Sequence, residues 1–149
     1  MSKLSTGFNQ EKIQSMNRTL LLNLLRKEGV CSRAHLASIS QLKQATITYL
    51  INDFMKWNIV KETGLISGNK GRRSIGITIN DQNYGVLAVR LARKNYSVGI
   101  FNLSGKVVEL IRTDIPSDST PEQVLSSIIE QGHKLIASMP DRKILLAGM

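Results

Sequence analysis

The chain has 149 residues but one cysteine, three prolines, two histidines, one tryptophan, three tyrosines and three phenylalanines. The lone Cys31 forms no internal disulfide. With only His35 and His133 beside it, no Cys/His cluster of the kind zinc requires is available. Aromatics at 5% leave the core to aliphatic side chains. No apolar run approaches the roughly 18–20 residues of a membrane span. The stretch Met1 to Gly7 lacks the apolar segment of a secretory signal. Carboxylate pairs, a P-loop and a dinucleotide fingerprint are missing too. These absences set the expectation of a reduced, cytoplasmic protein that is not an enzyme, with no catalytic residue, metal or cofactor and no membrane partner. Hydrophobic content is 42%, too high for a disordered tail.

Acidic residues are scarce in one half only. Residues 1–80 carry twelve Lys/Arg against four Asp/Glu, a net +8. Residues 81–149 carry eight against seven, a net +1. A basic half beside a near-neutral one points to a polyanion-binding module joined to something else. The plainer alternative is a merely soluble basic surface.

The polar residues 1–10 read as frayed. From Glu11 to Glu28, Ile13, Met16, Leu20, Leu21, Leu24 and Leu25 form a helical stripe. Arg26, Lys27 and Gly29 mark its end. Ser32 is an N-cap for a short helix to about Ser38, followed by a turn near Gln41. A third helix spans 43–57, with Ile47, Leu50, Ile51, Phe54 and Met55 on one face. A strand over 59–63, a glycine-rich basic loop over 67–73 and a strand over 74–80 complete a winged helix-turn-helix in residues 1–80. Residues 81–149 read as β-β-β-α-β: strands 84–91, 96–103 and 106–114, a helix 121–138 and an apolar strand from Lys143. The fold class is therefore α+β. The last strand has nothing after it to cover its neighbours, so the expectation is a fragment or a naturally shortened chain.

Two constellations carry chemistry. In a helix-turn-helix the second helix enters the major groove with its N-terminal residues on base edges. Here these are Lys43, Gln44, Ala45, Thr46, Thr48 and Tyr49, a face that is polar but hardly charged. Gln pairs adenine in a bidentate way, while Ala and the Thr methyl meet a thymine methyl. Ser32 and Arg33 fall where the first helix of the pair meets phosphates. The alternative is a plain trihelical core. The second constellation is the loop 68–73, where Lys70, Gly71, Arg72 and Arg73 suit a narrow A·T-rich minor groove. Alone it would be an ordinary solvated loop. Cys31, His35 and His133 read as structural or surface residues, and Trp57 as packing under the wing.

The ordered set Asn17-Arg18-Thr19-Leu20-Leu21, Ser32 to Ala37, Gln44 to Thr48, Gly68 to Arg73, Tyr84 to Val89 and Val98 to Gly105 resembles the N-terminal part of the ROK family. The branch resembled is that of the xylose- and N-acetylglucosamine-type repressors. The resemblance implies that residues 81–149 open an actin-like (ribonuclease H-like) ATPase-fold domain. Family kinases carry an Asp-x-Gly-Gly-Thr phosphate motif where this chain has Arg90-Leu91-Ala92-Arg93-Lys94. The family's sugar and zinc residues lie beyond position 149, so a sugar effector belongs only to a longer chain. The implied function is sequence-specific repression of carbohydrate uptake or catabolism genes. Its partners are double-stranded DNA with an A·T-rich palindrome and a second copy of the chain. The alternatives are a sugar kinase-like ROK protein and a dimerisation or interaction module.

Overall fold

The computed structural model describes residues 4–67 and 73–146. The chain divides into two compact units, Met1–Ile79 and Asn80–Met149.

The first unit opens with α1, Leu4–Glu28. The helix thus starts well before the expected Glu11, because a helical backbone needs no apolar stripe to continue. Of the expected stripe, only Leu21 and Leu25 are buried, while Ile13, Met16 and Leu20 are 57%, 63% and 40% exposed. Gly29 ends α1 in the left-handed region, at φ 76°, with its N–H donating to the Leu25 carbonyl at 2.9 Å. Glycine adopts this conformation without a Cβ penalty.

Next comes β1, Cys31–Ser32, antiparallel to the later strand β3 (Arg73–Ile79) with Cys31 opposite Ile77. Two residues carry no readable periodicity, which is why the sequence does not announce this strand. Helix α2, Arg33–Ser40, follows, capped by the Ser32 hydroxyl, which accepts from the His35 N–H at 3.1 Å. Gln41 turns the chain at φ 59°. Helix α3, Gln44–Lys56, buries Ile47, Leu50, Ile51 and Phe54.

β2, Val60–Ser67, runs four residues past its expected end and pairs with β3 in the order β1-β3-β2. An irregularity between Glu62 and Gly64 absorbs the break in alternation. Gly76 lets this hairpin close. A Cβ there would overlap the Thr63 hydroxyl and meet Ile66 Cγ2 at 2.9 Å. The core of this unit is Leu21, Leu25, Cys31, Leu36, the α3 face, Val60, Ile77 and Ile79.

The second unit is a four-stranded sheet, order β6-β5-β4-β7, with helix α4 between β6 and β7 in the chain. Its elements are β4 Tyr84–Leu91, β5 Asn95–Phe101, β6 Val107–Asp114, α4 Pro121–Ala137 and β7 Lys143–Leu146. The first three strands are antiparallel, and β7 joins β4 in parallel. Tyr96, Val98, Ile100, Ile128 and Leu135 form its core. The Tyr96 hydroxyl accepts from Gln131 Nε2 at 2.9 Å and lies 2.6 Å from Ser127 Oγ, so this buried phenol is satisfied. Among the described residues, no helix is long and apolar enough to cross a membrane.

Candidate nucleic-acid interface

α3 presents two unlike faces. The buried one is aliphatic and aromatic. Of the opposite one, Lys43, Gln44, Ala45, Thr48, Tyr49 and Asn52 are exposed and Thr46 is half-buried. Tyr49 is 53% exposed. The structure therefore brings the six expected base-facing residues onto one accessible helix end. No side chain caps the helix: Lys43 is its N-cap, in an extended conformation, without a capping hydrogen bond. The first N–H groups of α3 thus have no side-chain hydrogen-bond partner among the described residues. Thr48, which is exposed, spends its hydroxyl proton on the Gln44 carbonyl at 3.0 Å, so its hydroxyl is left to accept.

No acid stands on this face, and most acids of the first unit are engaged elsewhere. Asp53 lies 3.4 Å from Arg18 and 3.9 Å from Lys56. Glu28 lies 3.3 Å from His35. Glu62 of β2 accepts from Arg33 Nη2 at 3.1 Å. Three of the four acids in the first unit are thus matched to basic side chains, and Lys12, Lys43 and Lys61 have no ion pair among the described residues.

The two residues assigned to phosphate contact behave differently from the helix face. Ser32 is 8% exposed and its hydroxyl serves the α2 cap. The Arg33 guanidinium is held by Glu62 and lies 3.8 Å from Met55 Sδ. Lys70, Gly71 and Arg72 lie outside the described residues. Arg73 is the exposed first residue of β3, opposite Ser67.

Trp57, expected under the wing, carries the Arg18 guanidinium 5.5 Å from its ring centroid and is 46% exposed. Its ring lies 6.4 Å from that of Phe54. Burial, and then the Glu28 carboxylate, push the Cys31 thiol up to about 11, so it stays protonated at neutral pH. Among the described residues, no group of three or more His, Cys, Asp and Glu side chains is placed to hold a metal.

Sequence reasoning missed two neighbours of this face. Gln14 and Asn17 of α1 line an open groove with Ala45, Thr46, Tyr49 and Leu50. Their signal was available: positions 14, 17, 18, 21 and 25 share one helical face.

No family model matches the chain. Over 125 residues it is 28% identical to the DNA-binding transcriptional dual regulator NagC of Escherichia coli K12, covering 83% of this chain and 31% of that protein. Over 141 residues it is 26% identical to the xylose repressor of Bacillus spizizenii, covering 95% of this chain and 36% of that protein. The chain thus spans about a third of the length of the curated relatives it matches. Its fold is shared with a crystal structure described as a ROK family transcriptional regulator, homologue of the E. coli MLC protein. The TM-score is 0.62 at 24% identity, over 91% of this chain and 36% of that one. The motif resemblance is matched along the chain and in the fold: this chain is similar to the amino-terminal part of ROK family transcriptional regulators.

Proposed function

We propose that the chain is the DNA-reading part of a sequence-specific transcriptional regulator, a repressor of carbohydrate uptake or catabolism genes. The observation that carries this is the exposed, acid-free polar face of α3 in a unit of net charge +8. The likeness to NagC and to xylose repressors supports it.

In this reading the first unit is a winged helix-turn-helix. α3 lies in the major groove, with Gln44, Ala45, Thr46, Thr48 and Tyr49 on base edges. Lys43 sits at a phosphate, and the α3 N-terminus adds its backbone N–H groups and dipole. Ser32, buried with its hydroxyl on the α2 cap, holds that helix in place rather than a phosphate. Arg33 joins them only by leaving Glu62. The hairpin places Lys70, Gly71, Arg72 and Arg73 in the neighbouring minor groove. Two copies related by a two-fold axis read the halves of a palindrome. The second unit opens an actin-like ATPase fold without phosphate chemistry. A kinase reading loses its support at Arg90-Leu91-Ala92-Arg93-Lys94, where the acidic residue and both glycines of the phosphate motif are replaced.

A gel-shift comparison of an A·T-rich palindrome with a random duplex tests the reading. The palindrome is retained at the lower protein concentration, and affinity falls with salt at a log-log slope near −0.9 per phosphate neutralised. Equal retention of both duplexes sinks sequence specificity. Replacing Arg72 and Arg73 by Ala weakens both duplexes, the A·T-rich one at least as much as the other, and unchanged affinity for both contradicts a minor-groove wing.

A further inference from the structure

α1 changes character along its inner face. At Leu21 and Leu25 that face is fully buried and apolar. One to two turns earlier the same face carries Arg18, Asn17 and Gln14. Arg18 is engaged with Asp53 and Trp57. Gln14 and Asn17 are half-buried, and no hydrogen bond of either side chain to the rest of the chain is found among the described residues. They form one wall of an open groove of about 330 Å³, whose other wall is Ala45, Thr46, Tyr49 and Leu50 of α3.

A groove between two helices of a core is normally closed by apolar contacts. Two primary amides and a half-exposed phenol are donors and acceptors suited to a polar occupant. The apolar residues Ile13, Met16 and Leu20 point elsewhere, about 80–180° around the helix from Leu21 and Leu25. They are not part of this wall.

We infer that Gln14 and Asn17 grip a sugar-phosphate strand of duplex DNA alongside α3. This rests on the DNA-binding reading above and extends its surface to a helix that reading does not use. The choice of occupant follows from charge: the unit is net +8, and three of its four acids, Glu28, Asp53 and Glu62, are matched to basic side chains, Glu11 being the exception. The groove shares Ala45, Thr46 and Tyr49 with the base-facing end of α3, and Gln14 and Asn17 stand across it on α1. A strand bordering the major groove meets that α1 side, and amide side chains are ordinary phosphate ligands. The grip positions the protein and reads no sequence.

The test is fluorescence anisotropy of the full chain with a random-sequence duplex and with a palindrome it has selected from a randomised pool, across a salt series. Two near-isosteric replacements, Gln14→Glu with Asn17→Asp, place carboxylates against the strand. Affinity for both duplexes is expected to fall about tenfold or more, with the melting temperature retained. Gln14→Lys with Asn17→Lys should tighten both duplexes and steepen the log-log salt slope by up to about 0.9 per added contact. Thr19→Lys, on the opposite side of α1, is the control and should leave the slope unchanged. If the double Lys variant moves the slope no more than Thr19→Lys does, the inference is overturned while DNA binding stands. If the unaltered chain retains neither duplex, the DNA-binding reading fails and the inference falls with it.

Discussion

α3 and α4 are both amphipathic helices that bury one aliphatic face, yet they are finished differently. α4 has a full set of local stabilisers. Thr120 accepts from the Gln123 N–H at 3.3 Å, and Gln123 returns a bond to the Thr120 N–H at 2.9 Å. Pro121 and Glu122 sit in its first turn. Glu130 and Lys134 pair at 2.7 Å one turn apart. α3 has no side-chain cap, no acid in its first turn, and a lysine at the N-cap. A helix selected only for stability would carry Ser, Asp or Asn there. The open N–H groups and the positive charge are what an approaching phosphate requires. The contrast separates a helix finished for stability from one whose end is left uncapped, as the DNA-reading proposal requires.

The largest effect expected from breaking this comparison lies on the faces the helices share. Phe54 is 1% exposed, and Phe54→Ala should cost about 3–5 kcal/mol in denaturant unfolding of the first unit. A cost below about 1 kcal/mol would mean that α3 is not packed as described. Lys43→Asp sharpens the contrast directly. It gives α3 a cap and a favourable dipole partner, worth about 0.5–1 kcal/mol of added stability. It should also weaken duplex binding about tenfold or more and flatten the salt slope by about 0.9. Stability and binding moving in the same direction would contradict the role given to that helix end. Thr120→Ala is the complement: a loss of about 1 kcal/mol in the second unit with duplex affinity unchanged, read by thermal melting and anisotropy.

The smallest effect concerns Glu130. Its hydrogen bond to Lys134, and then the Lys134 charge, hold its carboxyl below the usual carboxylate range. A lowered folded-state value contributes stability that is present above the unfolded value and lost as pH falls through the folded one. Glu130 is fully exposed, so the melting temperature of Glu130→Gln should differ only slightly from that of the unaltered chain near neutral pH. That difference should vanish in acid. A difference that grows on acidification would contradict the pairing.

Legibility followed periodicity. The expected helix 43–57 and the observed Gln44–Lys56 agree to a residue at each end, because the apolar face and the polar face alternate at helical spacing. β4 lies where its apolar run placed it. Features without a period were hidden. β1 is two residues long, and β2 continues through an irregularity at Gly64. The early turns of α1 carry only Leu4 and Phe8 as large apolar residues, too few to extend the expected stripe back from Glu11. Pairings across sequence distance were hidden as well. Arg33 looked free for phosphate because Glu62 lies 29 residues away. Arg18 and Trp57 meet only once α1 and α3 are packed. The Gln14 and Asn17 wall escaped because the eye follows Ile13, Met16 and Leu20, which turn out to be exposed.

The account rests on α3 reading base edges. Its most direct test is a position-by-position base preference, measured for the unaltered chain and for Gln44→Ala against single-substitution duplexes of a selected palindrome. Discrimination at one base pair of each half-site, worth about 1–3 kcal/mol, should disappear in Gln44→Ala while affinity for random duplex is unchanged. A uniform loss on every duplex, or a preference profile identical to that of the unaltered chain, would contradict it.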